Sequence, residues 1–150
     1  MANKEKILIE NEKQANYVVA KVMRITFIFF TVIFLLNVIG VFVVNKTVMT
    51  IAYIFGSLLL FLPTILLKIC KEKYVFIKIV NICVAVILMS LLSATLNYHV
   101  IVFYVFPIVI SSLYFSKRLN IFATVLTVIG ISCGELFSYF FDTVKDQNWS

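Results

Sequence analysis

Five apolar runs divide the chain: Ile25–Val44, Val48–Leu67, Ile79–Leu96, Val100–Phe115 (extendable to Ser116) and Leu119–Phe141. Only the last contains a charge, Glu135. Their lengths of 20, 20, 18, 16 and 23 residues approach the roughly 20 residues, at about 1.5 Å each, with which a helix crosses a hydrocarbon core of about 30 Å. None alternates as a barrel strand does, and in lipid a helix satisfies its own backbone. The solvent must be lipid, because a chain that is 63% hydrophobic and 13% charged has too little polar surface to cover a soluble globule. The connections at Asn45–Thr47, in the KICKEKY turn, at Asn97–His99 and at Ser116–Arg118 are short enough to force antiparallel neighbours. The fold class that follows is all-α: a polytopic membrane protein, an up-down bundle of five transmembrane helices.

Residues 1–24 form a segment of their own. Ile7, Leu8, Asn11, Ala15, Val18, Val19 and Val22 recur at spacings of three and four, with Glu5, Lys6, Glu10, Lys13, Gln14 and Lys21 largely between them. This is an amphipathic helix, expected either to lie along the membrane surface or to run into the first span as one long helix. The membrane domain then covers residues 25–142, with spans at 25–44, 48–67, 79–96, 100–116 and 119–141, and a tail covers residues 143–150. The polar start and the lack of a small-x-small site argue against a cleavable signal peptide.

Basic residues set the orientation. The N-terminal arm (Lys4, Lys6, Lys13, Lys21, Arg24), the turn between spans two and three (Lys68, Lys71, Lys73, Lys78) and the turn between spans four and five (Lys117, Arg118) hold 11 of the 13 lysines and arginines. Lys46 and Lys145 are left for the other side. The positive-inside rule places the N-terminus in the cytoplasm and, after five spans, the C-terminus outside. The expected location is a bacterial cytoplasmic membrane. The net charge of +6 is explained by this topology and by anionic inner-leaflet lipid, so the bilayer is the expected partner and nucleic acid is not.

The inventory for chemistry is nearly empty. His99 is the one histidine, and no nucleophile triad, P-loop, zinc-protease motif or Gly-rich phosphate loop is present. No catalytic residue, metal site or cofactor is expected, and the chain itself is not expected to be an enzyme. Cys70, Cys83 and Cys133 read as packing residues, and the tyrosines near span ends as an aromatic belt. Pro63 and Pro107 are expected to kink their helices.

Two features of the fifth span stand out. Thr127, Gly130, Gly134 and Ser138 share one helix face around a G-x-x-x-G. Small residues there let another helix approach closely, and the expected neighbour is a helix of the same chain, with a homodimer as the alternative. Gly40 in the first span is a further small packing residue. The second feature is Glu135, since a carboxylate at the bilayer centre costs roughly 2.5 kcal/mol or more. Sixteen residues from Leu119 the helix has climbed about 24 Å, which puts Glu135 near the outer interface. His99 and Asn97 lie in an outer loop, and Asn37 in the outer half of the first span. Together Glu135, His99, Asn37 and Asn97 are candidates for an outer-facing site sensing an unidentified ligand or a proton, histidine titrating near neutrality. The simpler alternative is that Glu135 snorkels to outer water.

The stretch YVFPIVISSLYFSKRLNIFATVLTVI, residues 104–129, resembles the N-terminal membrane modules of bacterial signalling proteins, most of all those of Clostridia-type GGDEF diguanylate cyclases, chemoreceptors and sensor kinases. The opening NEKQANYVVAKVMRITF, residues 11–27, with LNVIGVF after it, looks like the start of the same modules. The resemblance implies a membrane-embedded sensory and anchoring input module for signal transduction. Such modules feed a cytoplasmic effector. Five spans ending outside at Asn148–Trp149–Ser150 depart from that pattern, and the expectation is a chain cut just before a sixth span. The alternative function is a small complete transport or channel subunit.

Overall fold

The computed structural model describes residues 2–41, 46–70, 73–96 and 104–147. These residues form five helices: α1 (Ala2–Ile39), α2 (Lys46–Ile69), α3 (Tyr74–Leu96), α4 (Val105–Ser112) and α5 (Lys117–Gln147). Four of them contain segments long and apolar enough to cross a membrane: Glu5–Ile39, Lys46–Ile69, Tyr74–Ser93 and Lys117–Phe137. Large apolar side chains such as Ile28, Phe29, Phe55 and Leu58 are more than half exposed on the outside of the bundle. A water-facing surface does not carry apolar area on this scale, whereas lipid requires it. The chain is therefore an all-helical protein with the character of a membrane protein. The fourth expected span is described only from Tyr104 onward. Its helix of 8 residues rises about 12 Å, and residues 97–103 lie outside the described set.

α1 is one continuous helix of 38 residues, so the amphipathic arm runs into the first span without a break. Its buried seam is Ala15, Asn16, Val19, Ala20 and Met23. The face is turned away from Ile7, Leu8 and Val18, which are exposed. α1 ends at Ile39, short of the expected Val44, and the reason is local. Gly40 takes φ +91°, its N–H bonds to Asn37 O at 3.1 Å and the Val41 N–H to Leu36 O at 3.0 Å. That pair of bonds is the Schellman arrangement, which needs a left-handed residue after the helix. A Cβ on Gly40 would meet nothing within 4 Å. Gly40 is thus a helix terminator and not the close-packing residue its size suggested.

α3 is the central element, packing against each of the other four helices. Ile77, Ile82, Ala85, Leu88 and Met89 are buried along it. α1 and α2 pair in antiparallel register. Phe27 sits against Phe61 with ring centroids 4.9 Å apart and Phe34 stacks on Tyr53 at 4.3 Å, while Thr31 Oγ1 and Tyr53 OH are 3.1 Å apart. Gly56 makes room for Phe30: a Cβ there would lie 2.5 Å from the ring. α3 and α5 run parallel, residues 86–93 of one facing residues 130–135 of the other. Hydroxyls on the helices are largely satisfied within their own turn. Thr26, Ser57, Ser90, Thr124 and Thr127 each donate to the carbonyl four residues earlier, as groups surrounded by lipid or packed side chains must.

Pro107 is the third residue of α4. In a first turn the missing N–H has no intrahelical partner to lose, so it opens this helix instead of kinking it. The turn from α4 to α5 passes through Phe115, at φ 49° and 86% exposed. That left-handed step costs a residue with a Cβ about 1–2 kcal/mol. It reverses the chain so that Tyr114 points inward while Phe115 points out.

Candidate functional site

Polar groups gather at two levels of the bundle. The first is the basic end, where the start of α3, the α4–α5 turn and the N-terminal half of α1 meet. Here Asn16 and Asn81 are completely buried and Tyr114 is 5% exposed. Tyr114 OH donates to Asn16 Oδ1 at 2.7 Å. Asn81 Nδ2 donates to Tyr114 OH at 3.0 Å and to Asn16 Oδ1 at 3.3 Å. Asn16 Nδ2 in turn donates to the Tyr74 carbonyl at 3.3 Å. Three side chains from three elements thus close a triangle, and only Asn81 Oδ1 is left without a hydrogen-bond partner. One turn away on both helices, Lys78 pairs with Glu12, and Lys13 lies 5.8 Å above the centre of the Tyr74 ring. Ser111 Oγ donates to Asn120 Oδ1 at 2.8 Å, fastening α4 to α5.

The local sequence explains the geometry. Ala15, Val19 and Ala20 flank Asn16 with short side chains, so the α1 backbone approaches α3 closely enough for an asparagine amide to reach across. Buried amides in an apolar surround are costly when unpaired, and nearly all of these are paired. A connected buried network of this kind fixes one packing arrangement among several of similar apolar content.

The second level is the other end of the α3–α5 interface. The G-x-x-x-G face packs against α3 of the same chain. A Cβ on Gly134 would lie 3.2 Å from the Ser90 carbonyl oxygen, and one on Gly130 2.6 Å from Ser90 Oγ and 2.8 Å from Val86 Cγ1. Thr127 is buried on the same face, and the side chain of Ser138 lies outside the described set. Glu135 is half-buried at the edge of this contact, where Ser93 Oγ donates to its Oε1 at 3.5 Å. Asn37 is buried near the end of α1 with Oδ1 unpartnered. It belongs to the side of the bundle where α1 packs on α2 and α3, and no hydrogen bond joins it to Glu135. His99 and Asn97 lie outside the described residues.

Between the two levels α3 is apolar where it is buried. Ile82, Val84, Ala85, Val86, Leu88, Met89 and Leu92 fill the interval from Asn81 to Ser93, a climb of about 18 Å. Among the described residues no three His, Cys, Asp or Glu side chains gather as metal ligands would.

The Asn16–Asn81–Tyr114 junction is not among the residues that the sequence singled out. Asn81 was open to detection as an amide two residues into an apolar run. Asn16 sits beside the seam drawn through Asn11 and Ala15, and Tyr114 reads as one more belt tyrosine; its partner is 98 positions away. No known protein family, curated protein or solved structure matches the chain.

Proposed function

We propose that this chain is the membrane-embedded sensory and anchoring input module of a bacterial signal-transduction protein, acting without chemistry of its own. It is a five-span up-down bundle in the cytoplasmic membrane with its N-terminus and basic end inside. A change at the outer end of the α3–α5 interface, at Glu135 and Ser93, shifts the packing of α3. The buried amide junction passes that shift to the α1 arm. A ligand or proton drives such a change only through different affinity for the two packings.

The observation that carries this reading is the junction itself. Asn16, Asn81 and Tyr114 tie the arm, the central helix and the α4–α5 turn into one unit, so α3 cannot shift without changing the arm's contacts. Transport is disfavoured by the apolar interval on α3 between Asn81 and Ser93, because a pathway needs polar groups through the bundle. Proteoliposomes test the choice. With the protein reconstituted, proton and potassium gradients are expected to decay no faster than in empty vesicles. Faster decay that Asn81→Leu abolishes would replace the sensory reading with a transport one.

A further inference from the structure

At the basic end, the groove between α3 and α5 has a volume of about 270 Å³ and is lined by Lys78, Ile79, Ser116, Arg118, Leu119 and Phe122. Its lining is mostly apolar, and its polar side chains are Lys78, Arg118 and Ser116. Its apolar part is Ile79 and Phe122, which are 40% and 42% exposed, with Leu119 beneath them. From this two-part lining we infer that the groove binds an anionic phospholipid, its phosphodiester on Arg118, Ser116 and Lys78 and an acyl chain along Ile79 and Phe122.

Three features favour that occupant. First, one of the two positive charges is not spent internally. Lys78 pairs with Glu12, but Arg118 is exposed and has no acidic partner among the described residues. Lys78, Glu12 and Arg118 together leave one net positive charge, the complement of a monoanionic phosphodiester. Second, guanidinium geometry matches two phosphate oxygens at once. Third, the cations stand beside exposed apolar side chains at one end of a lipid-embedded bundle. A free phosphate uses only the first half of that lining, whereas a lipid uses both. Basic pockets between helices at the cytoplasmic face are suited to anionic headgroups for the same reasons. A headgroup on Lys78 also competes with Glu12, and so reaches the α1 arm one turn from Asn16.

Native mass spectrometry of the purified full chain in detergent, titrated with phosphatidylglycerol or phosphatidylcholine, tests the site. Phosphatidylglycerol is expected to be retained preferentially. Arg118→Gln should weaken it roughly fivefold, the scale of one basic side chain near an anionic surface. Glu12→Gln should strengthen it by releasing Lys78, and Lys46→Gln, which removes a charge at the other end of α2, should leave it unchanged. Unchanged thermal melting of Arg118→Gln in lipid-free detergent is expected, since its side chain is exposed. Equal retention of the two lipids, equal loss in Lys46→Gln and Arg118→Gln, or displacement by millimolar glycerol 3-phosphate would each overturn the assignment. The last would mean that the groove takes phosphate and not lipid.

Discussion

Tyr114 OH and Asn16 Oδ1 are 2.7 Å apart, joining the turn before α5 to the first helix inside a buried, otherwise apolar contact. The hydroxyl accepts from Asn81 while it donates to Asn16. Removing it takes two hydrogen bonds from the junction. Tyr114→Phe is therefore expected to destabilise the bundle by about 1 kcal/mol, the scale of interhelical hydrogen bonds in membranes. Asn16→Leu removes three, those from Tyr114 and Asn81 and that to the Tyr74 carbonyl, and should cost about 1–3 kcal/mol. The double variant should cost less than the sum, because both changes break the same bond. Reversible unfolding in mixed micelles measures all three. Strict additivity would mean that the two groups do not interact.

The glycines separate two physical roles. Gly134→Leu is expected to cost about 1–3 kcal/mol through overpacking, since even a Cβ would press on the Ser90 carbonyl at 3.2 Å. Gly40→Ala meets open space but must hold φ +91°, so it should cost about 1–2 kcal/mol from backbone strain alone. Gly40→Asn, which tolerates that conformation, should recover most of the loss. Thermal melting in detergent distinguishes them, and the α3–α5 contact would be in error if Gly134→Leu melted like the parent.

Much of this architecture was legible in the sequence, because lipid leaves a chain few choices. Charge-free runs of about 20 residues specify spanning helices, and the spacing of Gly130 and Gly134 identifies a close-packing face. What stayed hidden depends on rotation and partner. The arm's periodicity shows that α1 is a helix, but Asn16 and Val18 differ by only two positions and face opposite ways. That the seam runs through Asn16 is decided by Tyr74 and Asn81 on α3, about 60 residues downstream. Gly40 illustrates the converse. Its size suited both packing and termination, and only φ separates the two.

Orientation is a third test. In a background lacking the native thiols, cysteines at positions 13 and 117 are expected to be labelled by impermeant reagents only after the cytoplasmic side is exposed. A cysteine at position 40 should be labelled from outside. The basic arm and turns motivate this order. Labelling of position 40 only from the cytoplasmic side would invert the topology.

Glu135 accepts from Ser93 at 3.5 Å, and a glutamine carbonyl can accept the same bond. Glu135→Gln should therefore leave melting at neutral pH within about 0.5 kcal/mol of the parent, as for other exposed or half-exposed sites. If protonation of Glu135 is the input, the parent's α3–α5 packing should change with external pH and that of the variant should not. Solvent-accessibility labelling of a cysteine at position 90, on the same α3–α5 contact but outside the Ser93–Glu135 bond, follows it. Identical pH profiles in parent and variant would leave Glu135 as a tolerated charge at the membrane edge.

The buried junction is expected to hold the α1 arm to the rest of the bundle in one packing state. A pulsed spin-label distance between positions 8 and 121, both exposed, on the arm and on α5, reads that state. The protein is reconstituted in nanodiscs with its native cysteines replaced. One narrow distribution is expected for the parent, with a second population in both Tyr114→Phe and Asn81→Ala. The same narrow distribution in all three proteins would contradict the account, because the arm would then be held in place without Asn16, Asn81 and Tyr114.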